Sequence, residues 1–401
     1  MTHRGTESPG ERGAGPDRRR VLGLAGLGSA LALLGACGRE EEGPGMDGTT
    51  TPEAGACQEG ATARQRSSGA SDGGGAAKTA IDPSVVAHGA LALSPDGTQL
   101  AAAAGLGAAR SGTTSTAGTA LWSTADGTVS ARFDNALTGA LAWHPDGTLL
   151  AVGGAEHIEL TTPEGEVRWT LTGHGEPLQD SGRHLIQDLV FSADGELLVS
   201  LGADGTVRLW TGIGEAGCTP GQVLDTTAVR PLSIALSPDG RTLAVCGTAG
   251  APQLWDVETS TLSSEVEGVE FAPRAVAYAA DSTLLIGSGI PETSTTSSPE
   301  RARLYALGAD GTLEEGPVPE GLDVSSIAVD SEGTRIAVTG RNERRVMIWD
   351  RGTGDREDLP DAPGGLDRLA WAPDCTTLHG ISALHGVVSF DGTAWTTFDL
   401  P

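Results

Sequence analysis

Short apolar runs separated by turn residues recur from Ile81 to the C-terminus, and seven times they take one form. An apolar strand runs into a turn built on an acidic residue, usually followed by glycine, and a second apolar run leaves it. The copies are LALSPDG from Leu91, LAWHPDG from Leu141, LVFSADG from Leu189, IALSPDG from Ile234, VAYAADS from Val276, IAVDSEG from Ile327 and LAWAPDC from Leu369. In the first, Pro95 presets a backbone angle, Asp96 bonds back to its own backbone and Gly97 takes the left-handed conformation. The acidic residues Asp96, Asp146, Asp194, Asp239, Asp281, Glu332 and Asp374 are spaced by 50, 48, 45, 42, 51 and 42 residues. A third apolar run follows each hairpin, marked by Trp122, Leu160, Trp210, Trp255, Tyr305, Trp349 and Phe390. A fourth follows another turn, as in VRWTLTG from Val167.

Four short strands per unit, at a period near 45, predict an all-β fold: a seven-bladed β-propeller of four-stranded antiparallel blades over residues 81–401. The first strands carry an independent sign. Ala92, Ala142, Val190, Ala235, Ala277, Ala328 and Ala370 alternate with Leu93, Trp143, Phe191, Leu236, Tyr278, Val329 and Trp371. Strand side chains alternate faces, so each inner strand has a small face and a bulky face, as blades packed around an axis require. These units resemble the WD-repeat family. The Trp-Asp dipeptide stands in blades 4 and 6, as Trp255-Asp256 and Trp349-Asp350. The hydrogen-bond network of that family is nearly complete in blade 3, as Ser200, Asp204 and Trp210, with its histidine supplied by His184 or His174. The resemblance implies a non-catalytic platform for a protein or ligand. An extracytoplasmic hydrolase, lactonase or quinone-dependent dehydrogenase is the alternative, and a solute-binding lipoprotein a third.

The first 80 residues lack this pattern. DRRRVLGLAGLGSALALLGAC sets three arginines before an apolar run too short to span a bilayer comfortably and of the length of a signal h-region. Leu34-Gly35-Ala36-Cys37 resembles a bacterial lipobox, and Arg18-Arg19 with Val21-Leu22 resembles a twin-arginine signal, although Asp17 departs from its usual Ser or Thr. The expected organisation is a signal peptide over 1–36, lipidation at Cys37, a disordered tether over 37–80 and the propeller over 81–401. That places the protein on the extracytoplasmic side of the cell membrane. The Gly-, Ser- and Thr-rich tether has an expected span of about 35–40 Å.

Charge and cysteine count narrow the partners. The formal net charge of −27 argues against nucleic acid, whose phosphates need a basic surface. The expected partner is another envelope protein or a small ligand, bound by a monomer without cofactor or metal. Beyond Cys37, the cysteines Cys57, Cys218, Cys246 and Cys375 allow three pairings, and Cys246 suits a buried small position. His144 and Asp330 read as turn caps at the ends of inner strands, and His157 as an exposed strand end. Asp188 and Arg368 break a small, neutral inner-strand position, but they fall in blades 3 and 7 and need not meet. The densest polar segment, GHGEPLQDSGRH over 173–184, offers His174, Glu176, Asp180 and His184 as a candidate binding loop. It shares one expected face with the long insertions in blades 1 and 5.

Overall fold

The computed structural model describes residues 55–59, 90–104, 118–133, 138–155, 157–175, 186–214, 217–289, 302–318, 321–340, 343–382 and 385–398. Their strands form seven antiparallel sheets. The innermost strands are Leu91–Leu93, Ala140–Trp143, Ile186–Phe191, Pro231–Leu236, Ala272–Tyr278, Val324–Val329 and Leu366–Trp371. Each touches the next, and the last touches the first, so the sheets close a ring. The protein is a seven-bladed β-propeller. All seven third-run markers lie in third strands, from Trp122 in Gly118–Ser123 to Phe390 in Gly386–Phe390.

The hairpin turns are held as the sequence predicts. Backbone N–H groups donate to Asp96 from Thr98 (3.0 Å), to Asp146 from Thr148 (2.8 Å), to Asp194 from Glu196 (3.1 Å), to Asp239 from Arg241 (3.1 Å), to Asp281 from Thr283 (3.0 Å) and to Asp374 from Thr376 (2.8 Å). In blades 1, 3 and 4 a serine hydroxyl donates to the same carboxylate at 2.6 Å, and in blade 2 His144 takes that place at 2.6 Å. Blade 6 has Glu332 where the others have aspartate, and the shorter Asp330 does the work. It accepts from Thr334 N (2.8 Å) and Arg335 N (3.0 Å). Gly97 is required twice over, because its φ is 72° and a Cβ there would lie 2.6 Å from Pro373 Cδ.

Bulky residues of one inner strand cover the small residues of the blade before it. Trp143 packs with Ala92, Phe191 with Ala142, Leu236 with Val190, Tyr278 with Ala235 and Trp371 with Ala328. Two of the indoles also donate across the gap, Trp143 to Ala92 O (3.1 Å) and Trp371 to Ala328 O (3.2 Å). Burying one large apolar side chain in this way contributes about 1.5–3 kcal/mol, so the ring is mainly inter-blade apolar burial. Blade 7 closes on blade 1 through side chains: Ile381 and Val387 pack with Leu100, Ala102, Ala120 and Trp122.

The structure corrects the tether at one place. Ala56–Glu59, inside the segment expected to be disordered, is a strand that pairs antiparallel with Val167–Thr172, and blade 2 therefore has five strands. Cys57 is disulfide-bonded to Cys218 in Gly217–Asp225, the outer strand of blade 3. Cys246 and Cys375 are free thiols, and Cys246 is fully buried as expected. The lipobox, with Cys37, Arg18 and Arg19, lies outside the described residues.

Candidate functional site

Alternating strand direction puts the second-to-third-strand loops and the blade-to-blade connections on one face of the ring. The described chain leaves and re-enters at this face around 105–117 in blade 1, 176–185 between blades 2 and 3, and 290–301 in blade 5. Glu176, Asp180 and His184 fall within these gaps, outside the described residues.

His174, at the base of the candidate loop, is bound inward. Its Nε2 lies 2.8 Å from Ser200 Oγ and its Nδ1 3.1 Å from Asp204 Oδ1. Trp210 Nε1 donates to the same Ser200 hydroxyl at 2.9 Å. One proton arrangement satisfies every group: Trp210 N–H donates to Ser200, Ser200 O–H to His174 Nε2, and His174 Nδ1–H to Asp204. Asp204 also accepts Gly175 N (2.7 Å), Thr206 N (3.0 Å) and Thr206 Oγ1 (2.9 Å). Burial alone would raise the carboxyl pKa of Asp204, but His174 and these N–H donors outweigh it and lower it. The network histidine is thus His174, which replaces His184 in that role. Gly202 makes room for it, since a Cβ there would collide with the His174 ring.

Ser200, His174 and Asp204 stand in the order nucleophile, base and orienting acid, so the cluster has to be weighed as a catalytic triad. Burial decides against that reading. Ser200 is 0% exposed and Trp210 1%, with the Trp210 indole donating to the serine oxygen. A nucleophile needs an open approach for its electrophile, and this hydroxyl has none. The cluster is a structural clamp that fixes where the loop begins.

Nearer the axis, side chains tie blade 3 to blade 4 and blade 6 to blade 7. Asp188 Oδ2 accepts Ile234 N of blade 4 (3.1 Å), and Ser326 Oγ accepts Leu369 N of blade 7 (3.2 Å). Asp188 and Arg368, three blades apart, both lie within electrostatic reach of the Cys246 thiol. Burial raises its pKa most, Asp188 raises it further, and Arg368 opposes them. The inner strands of blades 3 to 7 each carry a register shift at the same place, leaving Gln187, Leu232, Arg274, Ser325 and Asp367 as bulge residues. Gln187 Oε1 and Ser325 Oγ are buried there without a hydrogen-bond partner. These bulges sit at the starts of the inner strands, on the insertion face. No signal in the sequence marked them, because a bulge residue interrupts the alternation that strand patterns are read from.

The remaining candidates resolve individually. His144 and Asp330 are turn caps as expected. His157 is partly exposed, but its neighbour on the same strand face, Glu159 at 3.4 Å, is buried, so this is not a wholly exposed strand end. Among the described residues no three His, Cys, Asp or Glu side chains are placed to hold a metal.

With this geometry in hand, the likenesses to known proteins can be placed. Residues 165–211 match the WD domain, G-beta repeat family. That stretch runs from the outer strand of blade 2 through the third strand of blade 3, and so contains His174, Ser200, Asp204 and Trp210. The chain is 27% identical over 131 residues to the periodic tryptophan protein 2 homolog of Schizosaccharomyces pombe, covering 32% of this chain and 14% of that protein. It is 22% identical over 208 residues to the pre-mRNA-processing factor 19 homolog 2 of Arabidopsis thaliana, covering 50% of this chain and 36% of that protein. The chain thus spans about a third or less of the length of these curated relatives. Among solved structures, a chain of Kuenenia stuttgartiensis hydrazine synthase superposes with a TM-score of 0.62 at 14% identity, over 81% of this chain and all of that one. A chain of the mitotic checkpoint complex gives 0.58 at 18%, over 93% of this chain and all of that one. At these identities the likenesses show the fold alone.

Proposed function

We propose that the protein is a lipid-anchored, extracytoplasmic propeller that serves as a non-catalytic platform for another envelope protein or a small ligand. The observation that carries this reading is the insertion face. Three long connections and the bulge residues, two of them with unpartnered polar atoms, meet there, while the Ser–His–Asp cluster beneath the same face is sealed as a clamp. Long loops in a compact repeat fold are commonly functional, and WD-repeat propellers generally bind proteins. The compartment is supported by the Cys57–Cys218 disulfide, a bond that persists in oxidising surroundings. The anchor rests on the Leu34–Cys37 motif, and two acyl chains on one cysteine suffice for stable attachment.

The test is capture of native partners by crosslinking from membranes. Replacing 176–185 by a short Gly-Ser turn, while keeping Gly173–Gly175, abolishes capture and leaves thermal unfolding unchanged. Capture that survives this change moves the site off that loop. Cys37→Ser releases the protein from the membrane or leaves an uncleaved precursor, and an unacylated mature Cys37 by mass spectrometry overturns the anchor.

A further inference from the structure

The stretch from Gly55 to Glu59 sits on the propeller as a strand ligand would. Its register runs from Ala56 opposite Thr172 to Glu59 opposite Trp169, so it adds a fifth strand at the outer edge of blade 2. The outer strand of a sheet offers a row of backbone N–H and C=O groups to which an extended segment can pair. Side chains then decide what fits, because successive residues face opposite sides. Ala56 and Gln58 are exposed, whereas Gly55 and Cys57 are half-buried.

Two positions of this groove are selective. At the first, a Cβ on Gly55 would lie 2.5 Å from Thr172 O and 2.6 Å from the Trp210 ring. The floor is cut back to match, since a Cβ on Gly173 would lie 2.6 Å from Gly55 Cα. Glycine against glycine admits backbone and nothing larger. At the second, Cys57 and Cys218 both pack against the cluster that holds Leu171, Trp210 and Ile213, and their sulfurs are bonded. Cys218 belongs to Gly217–Asp225, so the groove has a pairing edge on blade 2 and a covalent acceptor on blade 3. The segment that meets both demands is extended and reads Gly-x-Cys.

We infer that this groove is a receptor for an extended Gly-x-Cys segment of a partner protein, which replaces the chain's own Gly55–Cys57 by disulfide exchange. The partner's thiolate attacks Cys218 Sγ, and the Cys57–Cys218 bond breaks as the new S–S bond forms. Cys57 leaves as a thiolate and takes up the proton that the partner's thiol gave up. One disulfide replaces another, so no oxidant or reductant is consumed. Both cysteines are half-buried at the rim, within reach of such an attack. The chain's own segment competes for the groove, and a partner docked on the same propeller offers its segment at about millimolar effective concentration. The partner itself rests on the platform reading above, but the groove is separate from the connection at 176–185.

The experiment uses the full mature protein with Cys57→Ala, which leaves Cys218 as a thiol. The probes are the peptide TPEAGACQEG, a copy of residues 51–60, and the peptide TPEAVACQEG, each with its cysteine activated as a thiopyridyl disulfide. The Cys218 thiolate attacks the peptide sulfur, thiopyridone leaves, and mass spectrometry maps the adduct. Cys218 takes the glycine peptide about tenfold or more faster than the valine peptide, because docking precedes exchange. The free thiol of Cys375 takes both at one rate. Adding Gly55→Val, which drives the chain's own strand from the slot, raises the Cys218 rate with the glycine peptide. Near-ultraviolet circular dichroism verifies the fold of each variant. Should either fail to fold, oxidised wild-type protein with the two peptides as free thiols gives the same comparison, read from the Cys57 thiol released. Equal rates for the two peptides at Cys218 overturn the inference. They leave the platform reading standing, which partner capture after replacement of 176–185 tests by itself.

Discussion

Blades 3 and 4 divide between them the features by which such repeats are recognised. Blade 4 has the Trp-Asp dipeptide but not the network, while blade 3 has the network and threonine after its tryptophan. In blade 4, Val245 occupies the strand position of Ser200, and Ala249 stands six residues before the tryptophan, where blade 3 has Asp204. Trp255 is accordingly half-buried and donates to Gln253 Oε1 at 3.3 Å. Asp256 faces solvent and accepts Thr259 N at 2.7 Å, a local turn bond. Trp210, in contrast, is buried and bonded through Ser200 to His174 and Asp204. The dipeptide marks a turn, whereas the buried Ser–His–Asp set holds a blade to the connection that enters it.

The largest effect that tests this contrast is the loss of the two tryptophans. Trp210→Ala costs about 3–5 kcal/mol in denaturant unfolding, and the half-buried Trp255→Ala about 1–2 kcal/mol. Equal losses would erase the distinction.

A second contrast concerns histidines. His174 is paired with Asp204, whereas His379 in blade 7 is 2% exposed, with Nδ1 lacking a hydrogen-bond partner. Burial pushes the His379 pKa down to about 4, against a partial upward pull from Asp374. The unfolded chain takes up this proton first, near pH 6.5, so stability is full above that pH and falls as pH drops toward 4. The loss amounts to about 3 kcal/mol. His379→Leu removes this slope from the pH dependence of unfolding, and a slope that persists would locate the titration elsewhere. Below pH 4 the turn carboxylates take over. Asp374 is held at about 2 by Thr377 and Thr376, whose hydrogen bonds outweigh burial, so its contribution is present above pH 4 and lost toward pH 2.

Exchanging the residues that differ sharpens the blade comparison further. Ser200→Ala strands the Trp210 N–H and His174 Nε2 without partners and costs about 2 kcal/mol. The reciprocal Val245→Ser buries a hydroxyl where blade 4 has no histidine or aspartate to receive it, and costs about 1–2 kcal/mol. A gain from Val245→Ser would contradict the account of blade 4.

The smallest effect lies in the hairpin turns. Blades 1 to 4 place glycine at the left-handed position, but blade 5 places Ser282 there, with φ 66°. Ser282→Gly gains about 1 kcal/mol in thermal unfolding, because the strained angle carries no penalty for glycine. No gain would show that the turn of blade 5 bears no strain.

Most of the architecture was legible because it repeats: one turn chemistry, one alternation of small and bulky residues, and one aromatic marker per unit. What escaped the sequence depends on single residues meeting across the ring. Ala56–Glu59 pairs through its backbone, so nothing in Ala-Cys-Gln-Glu advertises a strand, and Cys57 meets Cys218 across 161 residues. Spacing did not separate His174 from His184, since the connection between blades has no fixed length. The structure separates them, because only two residues, Thr172 and Gly173, lie between His174 and the Leu171 that packs with Trp210. The shared influence of Asp188 and Arg368 on Cys246 follows from ring closure, which a linear pattern does not encode.

The way the ring closes also bears on how it is made. Blade 7 seals against blade 1 by side chains, so each four-stranded sheet is a contiguous stretch of chain that docks on its predecessor as it is completed. Among the described residues the final seam, where Gly97 meets Pro373, joins the first blade to the last, and loop-closure entropy weighs most heavily on that contact. The seam is therefore the last part of the molecule to form during folding and the first to breathe. Amide exchange resolved by residue would find its fastest native-state opening along Leu91–Leu93 and Trp395–Thr397.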